Sequence, residues 1–230
     1  MMSASPDGPL AAREVYGLWA PTYDAENPVT TLDDLAVRTL SPDLDGCSLL
    51  DAGCGTGRRL TRVAAGGPRR AVGIDFVVSM LTVGHARHPG TSLAAADLRV
   101  LPFPPATFDR IWCRLAIGHV ADLGPAYREF ARVAATGARL VITDFHPDAV
   151  AAGHTRGFRD AAGRSHVVAH RVHGPSDHAR AAERTGWTLE RRLDLTVGPP
   201  VRRFYADAGL LDSYDRQLGL PLVLALSFVH

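Results

Sequence analysis

A chain of 230 residues with 46% hydrophobic and 21% charged side chains has enough apolar surface for one sizeable core, which excludes bulk disorder. Its 25 cationic and 24 anionic residues give a formal net charge of +1, so no charge excess draws it to nucleic acid or an anionic membrane. All the cations are arginine, which excludes chemistry that needs a side-chain amine, such as Schiff bases or a P-loop lysine.

Residues 1–12 read as a loose tail, without the basic stretch and apolar run of a signal peptide. Ala12–Tyr23 carries Val15, Tyr16, Leu18 and Trp19 and is broken by Pro21. Thr31–Leu40 has helical spacing, with Leu32, Leu35, Ala36 and Leu40 on one face. Strands and helices then alternate. Cys47–Ala52 is predicted as a strand, Arg58–Ala65 as a helix, Arg70–Ile74 as a strand, Val77–Arg87 as a helix and Ser92–Ala96 as a strand. Phe108–Leu115 follows as a strand, and Leu123–Ala135 as a helix capped by Gly137. Arg139–Asp144 is the fifth strand. From Phe145 to Pro175 the pattern breaks into glycine, arginine and histidine. Ser176–Thr185 is helical, Trp187–Val197 and Leu222–Val229 are late strands, and Val201–Gly219 between them is helical. Such alternation predicts βαβ units and a doubly wound, mostly parallel sheet with helices on both faces. The strands are apolar runs without alternation, as expected when both faces are covered.

The three cysteines, Cys47, Cys54 and Cys113, lack C-x-x-C spacing, so neither a disulfide framework nor a cysteine zinc site is expected. The longest apolar stretch, Leu222–Val229, is far too short to span a bilayer, and the chain reads as cytoplasmic, with no membrane partner.

The chemistry lies in Leu49-Leu50-Asp51-Ala52-Gly53-Cys54-Gly55-Thr56-Gly57-Arg58. A buried strand runs into a glycine-rich turn that opens a helix. In open α/β sheets the ligand crevice lies outside the carboxyl ends of the strands, where this turn sits. A dinucleotide fingerprint reads G-x-G-x-x-G; here the spacing is G-x-G-x-G, preceded by an acid. An acid beside the turn suits a cationic ligand group better than a pyrophosphate. Asp75 ends the second strand 18 residues after Gly57, where a carboxylate can accept from both ribose hydroxyls. Asp97 ends the third strand 22 residues later and can take an adenine amino group. Either Asp alone is as well explained as a turn cap. Three acids at three successive strand ends, around a glycine turn, are not.

With these residues the chain resembles the class I S-adenosylmethionine-dependent methyltransferases of small-molecule type. Leu50–Gly57 looks like that family's first motif, Val72-Gly73-Ile74-Asp75 like its ribose motif, and Ala96-Asp97-Leu98 with Leu101-Pro102-Phe103 like its adenine segment. Phe108-Asp109-Arg110-Ile111 and Gly137–Ile142 resemble its fourth and fifth strand motifs, and Tyr16–Asp24 its N-terminal Y-x-x-W-A-x-x-Y-D segment. The resemblance implies a seven-stranded sheet with an antiparallel last strand. It implies one domain, divided into an N-terminal helical cap (1–45), a cofactor-binding core (46–146), a substrate lid (147–175) and a C-terminal part (176–230).

It also implies S-adenosylmethionine as cofactor, with S-adenosylhomocysteine as product. Asp51 with Gly53, Cys54, Gly55 and Gly57 holds the methionine end. Asp75 holds the ribose, Phe76 lies against the adenine, Asp97 takes the adenine amino group and the Leu98 N–H the ring, and Met80 is also among the cofactor-binding residues. Backbone at Cys113 and Arg114 lies beside the methionine chain, and Tyr16 and Tyr23 close over its carboxylate. Arg114 replaces a residue that is often small in the family; its charge is expected to meet the cofactor carboxylate or the substrate pocket.

The expected reaction is methyl transfer to an O, N or C atom of a small acceptor, such as a secondary metabolite. Quinone-ring C-methylation is the same-class alternative, and a cofactor-binding protein or cyclase without transfer the different-class one. No basic extension, stacking stripe or N-P-P-Y motif points to a nucleic-acid or protein acceptor; a homo-oligomer is compatible with the sequence. His146, after the fifth strand, and His119, after the fourth, are the candidate bases, each with a local backbone-bonding role as its rival reading. Six of the ten histidines (His146, His154, His166, His170, His173, His178) fall within 33 residues. If extended, His166 and His170 stand about 13 Å apart, too far to share a metal, and no metal site is expected. Arg156, Arg159, Arg164 and Arg171 read as solvated, with one of them a candidate for an acceptor carboxylate.

Overall fold

A computed structural model describes residues 12–64 and 67–230. Nearly all of the tail reading, residues 1–11, lies outside the described residues. The elements in chain order are α1 (Ala12–Trp19), α2 (Pro28–Leu40), β1 (Ser48–Ala52), α3 (Arg58–Ala64), β2 (Arg70–Asp75), α4 (Val78–Arg87), β3 (Ser92–Ala95), β4 (Phe108–Arg114), α5 (Leu123–Val133) and β5 (Ala134–Phe145). After these come α6 (Pro147–Ala151), a hairpin of β6 (Gly157–Arg159) and β7 (Ser165–Val167), α7 (Pro175–Glu183), β8 (Thr188–Thr196), α8 (Arg202–Asp207), α9 (Leu211–Gln217) and β9 (Pro221–Val229).

Seven strands form one sheet in the order β3-β2-β1-β4-β5-β9-β8. The first five in that order run parallel, and β9 is antiparallel to both β5 and β8. The order reverses at β1, so the carboxyl ends of β1 and β4 flank the switch point where such sheets bind ligands. β1 is buried along its whole length. One face packs Leu50, Ile111, Leu140 and Leu226 against Tyr127 and Phe130 of α5. The other packs Leu49, Trp112 and Val141 against Ala36, Val37 and Leu40 of α2. None of the helices described is long and apolar enough to cross a membrane.

Local chemistry sets the boundaries. Asn27 caps α2: its Oδ1 accepts the Thr30 N–H and its own N–H donates to Thr30 Oγ1, both at 3.0 Å, and Pro28 takes the first helical position. α5 ends earlier than its sequence suggests. Ala134 is already extended (ψ 131) and pairs with Phe108, so the strand begins there and Gly137 lies inside it rather than capping the helix. Tertiary pairing overrides the alanine-rich propensity of Ala134-Ala135. The 201–219 segment is two short helices parted by Gly209, whose φ is +68°.

A buried charge cluster joins α2, α3 and β4. Asp33, wholly buried, pairs with Arg59 at 2.9 Å and Arg114 at 2.8 Å and accepts from Thr143 Oγ1 at 2.6 Å. Burial would raise the Asp33 carboxyl, but Arg114 and Arg59 outweigh it and hold it below the ordinary carboxylate value. That stabilisation is present at neutral pH and is lost as pH falls through the lowered value. Replacing Asp33 by Asn is expected to cost about 3–5 kcal/mol, since two guanidiniums lose their buried counter-ion; urea unfolding at pH 7 measures it.

Candidate active site

At the end of β1 the chain turns through Gly53 (φ +84°) and Gly55 (φ +59°). A Cβ at Gly53 would lie 2.4 Å from the Cβ of Ala116, and one at Gly55 would lie 2.9 Å from the Tyr23 ring. Only glycine allows both the conformation and the approach. The N–H groups of Gly53 and Cys54 donate to the Ile74 carbonyl, and the Gly55 N–H donates to Asp75 at 2.8 Å, fixing the turn to the end of β2.

The N-terminal segment roofs this turn. Asp24 accepts from Thr56 Oγ1 at 2.5 Å and pairs with Arg87 at 3.2 Å, while its carbonyl accepts from Arg58 at 2.7 Å. Tyr16 and Tyr23 are thereby set over the glycines. A stack of rings runs from Tyr16 through Trp19 to Phe158 and His166, tying α1 to the β6–β7 hairpin.

Beneath the roof are two cavities with Tyr16, Tyr23 and Leu115 in common. The first, about 340 Å³, is lined by Gly53, Gly55, Asp75, Phe76, Met80, Asp97, Leu98, Arg114 and His119 among others. The second, about 260 Å³, is lined by Trp19, Asn27, Val29, Phe145, His154, Arg156, Tyr205 and Leu222 among others. Leu115 is left-handed (φ +53°), held by its N–H donating to the Thr143 carbonyl at 2.9 Å. Non-glycine residues in this region are uncommon and cluster at functional sites.

Of the residues chosen from sequence, Tyr16, Tyr23, Gly53, Gly55, Asp75, Phe76, Met80, Asp97, Leu98, Arg114 and His119 line the first cavity. Asp51, Cys54, Gly57 and Cys113 do not. Cys54 turns toward Gly73, Gly57 packs on Leu93, and Cys113 sits wholly inside the core. Asp51 is buried beneath the wall, with Oδ1 unpartnered. Burial raises its carboxyl to about 6, against the pull of Arg114 and Arg59.

Arg114 departs from its expected role. Its guanidinium points away to Asp33 and Asp34 and is already neutralised. Asp97 is also engaged, by a forked contact from Arg99 at 2.6–3.2 Å, which holds its carboxyl below the ordinary value. Burial raises the Asp75 carboxyl, while N–H bonds from Val77 and Gly55 oppose the rise.

His146 is not at either cavity. Its Nδ1 accepts the Asp148 N–H at 3.1 Å as the cap of α6, and its Nε2 faces Asp194 at 3.2 Å. This is the local backbone-bonding role that stood as the rival reading of His146 in the sequence. His119 is at the site but occupied: Tyr16 Oη and Arg156 Nη1 both lie 2.8 Å from Nε2. An arginine only donates, so Nε2 is the acceptor and the proton sits on Nδ1. Burial, then Arg156, lowers the His119 pKa to about 3. The remaining histidines scatter into separate local bonds, His166 to Asp160, His173 to the Val120 carbonyl and His178 to Tyr127. Among the described residues no three His, Cys, Asp or Glu side chains are grouped to hold a metal. Two wall residues were missed as individuals: His154, counted only within the cluster, and Arg156, one of four arginines read as solvated. Arg159, Arg164 and Arg171 are exposed, whereas Arg156 is buried.

The first cavity fits S-adenosylmethionine. Its glycine cradle admits a closely approaching chain, and the arginines on its wall, Arg99 and Arg114, are paired already. The balance left there is anionic, from Asp75 on the wall and Asp51 behind it, as a sulfonium requires.

Comparison with known proteins agrees. Residues 50–142 match the family described as "Methyltransferase domain". The demethylmenaquinone methyltransferase of Renibacterium salmoninarum is 33% identical over 134 residues, which is 56% of this chain and 56% of that protein. The chain spans just over half the length of the curated relatives it matches. An S-adenosylmethionine-dependent methyltransferase from Mesorhizobium loti superposes with a TM-score of 0.69 at 23% identity, covering 86% of this chain and 98% of that one. The [4+2]-cyclase SpnF superposes with a TM-score of 0.66 at 20% identity, covering 99% and 98%. At these identities the structural likeness shows the fold alone.

Asp75→Ala is expected to weaken S-adenosylhomocysteine binding by about 1–3 kcal/mol, roughly five- to 150-fold, through loss of a charged acceptor. Titration calorimetry at pH 7.5 measures it, with the far-UV spectrum as the check on folding.

Proposed function

We propose that this chain is a class I S-adenosylmethionine-dependent methyltransferase, a reading supported by the match of its residues 50–142 and by its sheet order, and that it transfers a methyl group to a small molecule held in the second cavity. The observation that carries this reading is the junction. Two cavities, one edged by carboxylates and glycines and one apolar and aromatic, share Tyr16, Tyr23 and Leu115.

When bound, the cofactor supplies a sulfonium-activated methyl group. The chain's own residues position and enclose. Asp24 latches the roof, and Trp19 stacked on Phe158 closes the second cavity from the hairpin side. Burial raises the phenols of Tyr16 and Tyr23, so both stay protonated at the junction. Such enclosure works through proximity, with effective molarities up to roughly 10⁸ M at best.

An acceptor that presents O–H also needs a base. His119 does not serve, because its lone pair is taken. His154 lines the acceptor cavity, and burial lowers its pKa, which keeps it neutral and able to accept a proton at pH 7. His154 is therefore the proposed base for such an acceptor, in place of His146. The 147–175 segment, with α6 and the hairpin, is the proposed acceptor lid.

A second reading is methylation of a quinone ring, favoured by the demethylmenaquinone relative and by Trp19, Phe145 and Tyr205 in the second cavity. The cyclase likeness keeps open a reaction without transfer, since fold does not fix function.

Incubation with methyl-labelled cofactor and a panel of phenols, hydroxy acids and naphthoquinols tests the proposal. Label is expected in one acceptor class; product without label would move the assignment to the cyclase reading. With an O–H acceptor, His154→Ala is expected to lower kcat at least roughly tenfold. His146→Ala is expected to keep kcat within about twofold while losing about 1 kcal/mol of stability as a cap is removed.

A further inference from the structure

Arg156 stands apart from the arginines around it. Only 8% of it is exposed. Arg59 and Arg114, equally buried, each meet Asp33 and Asp34. Arg58 is also buried but lines neither cavity. Arg156 lines the second cavity, and no carboxylate among the described residues lies within 4.0 Å of its guanidinium. Its contacts are neutral: Nη1 donates to His119 Nε2 at 2.8 Å and Nη2 to the Leu115 carbonyl at 2.6 Å.

Those contacts fix where the charge sits. Leu115 takes its left-handed conformation with its carbonyl against Nη2, and His119 is held in the tautomer that can only accept from Nη1. One edge of the guanidinium is thus clamped at the junction of the two cavities. A buried cation is costly unless it is paired. Yet among the described residues the second cavity has no Asp or Glu in its wall; its other polar groups there are Asn27, Thr30, Thr155, His154 and the tyrosine hydroxyls. Two buried carboxyls act on Arg156 at longer range, Asp144 and Asp33, and neither lines the second cavity. Among the described residues no carboxylate meets the guanidinium on the side where the acceptor is to sit.

We propose that the acceptor carries a carboxylate and that Arg156 is the residue that selects it. A planar guanidinium matches a carboxylate with two parallel hydrogen bonds. Trp19, Val29, Phe145, Tyr205 and Leu222 complete the cavity for an apolar or aromatic body behind that carboxylate. This inference rests on the methyl-transfer reading, because it assigns the second cavity to the acceptor. It adds what that reading leaves open, the charge of the acceptor and the group that recognises it.

The test uses matched pairs of small ligands, benzoate with benzamide, cinnamate with cinnamamide and 2-naphthoate with 2-naphthamide. Each is titrated into the full chain saturated with S-adenosylhomocysteine and followed by tryptophan fluorescence, to which Trp19 in the cavity responds. The wild type is expected to bind at least one acid about tenfold or more tightly than its amide, as a charge-assisted contact gives. Arg156→Gln, measured with S-adenosylhomocysteine at saturation for the variant, is expected to abolish that preference, and Arg156→Lys to restore part of it. A wild type that binds acid and amide equally, or binds neither, overturns the proposal without any variant being needed. So does an Arg156→Gln protein that loses S-adenosylhomocysteine affinity and keeps the acid preference, which would put the guanidinium on the cofactor's own carboxylate. Preference for phenyl phosphate over every carboxylate would also overturn it. If the wild type fails to bind S-adenosylhomocysteine at all, the methyl-transfer reading fails first, and the two failures are told apart.

Discussion

The carboxylate of Asp24 holds the site together. Its two oxygens meet Thr56 in the glycine turn and Arg87 at the end of α4, and its carbonyl meets Arg58 at the start of α3. With those three bonds a short N-terminal segment becomes a roof. Without the roof, the carboxyl ends of β1 and β4 would be an open crevice, as in any doubly wound sheet. With it, Tyr16 and Tyr23 face the glycines from above, and the ring stack from Tyr16 to His166 carries the same segment onto the hairpin. One latch therefore shapes both cavities and the place where they meet.

Charge divides the two cavities. On the β1 side, the wall arginines are answered by carboxylates, and the carboxyls of Asp75 and Asp51 are left over. On the hairpin side the excess is one guanidinium with neutral partners. A sulfonium suits the first surplus and an anion the second. Burial is what gives either surplus its weight, since the same charges in water would be screened.

The local and periodic features were legible in the sequence. The glycine turn, the acids at the strand ends and the order of strands and helices follow from apolar runs and from residues that break them. Ends of elements were less legible: Ala134 leaves α5 only because Phe108 is there to pair with it. Side-chain destinations at long range were least legible. Nothing beside Arg114 in the sequence reveals that Asp33 and Asp34, some eighty residues away, take its charge. Nothing beside Arg156 sets it apart from Arg159 and Arg164, because the difference is burial under α1 and against His119. His146 misled because a histidine after a strand reads as catalytic, while the following proline, which makes it a helix cap, carries the simpler explanation.

Hydrogen–deuterium exchange with and without S-adenosylhomocysteine tests the central claim most directly, because it reports where the ligand is felt as well as whether it binds. The account expects slowed exchange in 16–24, 53–57 and 75–80 together, the roof closing with the turn it covers. Ligand-free and ligand-bound patterns that coincide at millimolar ligand, or protection confined to segments outside these three, would contradict it.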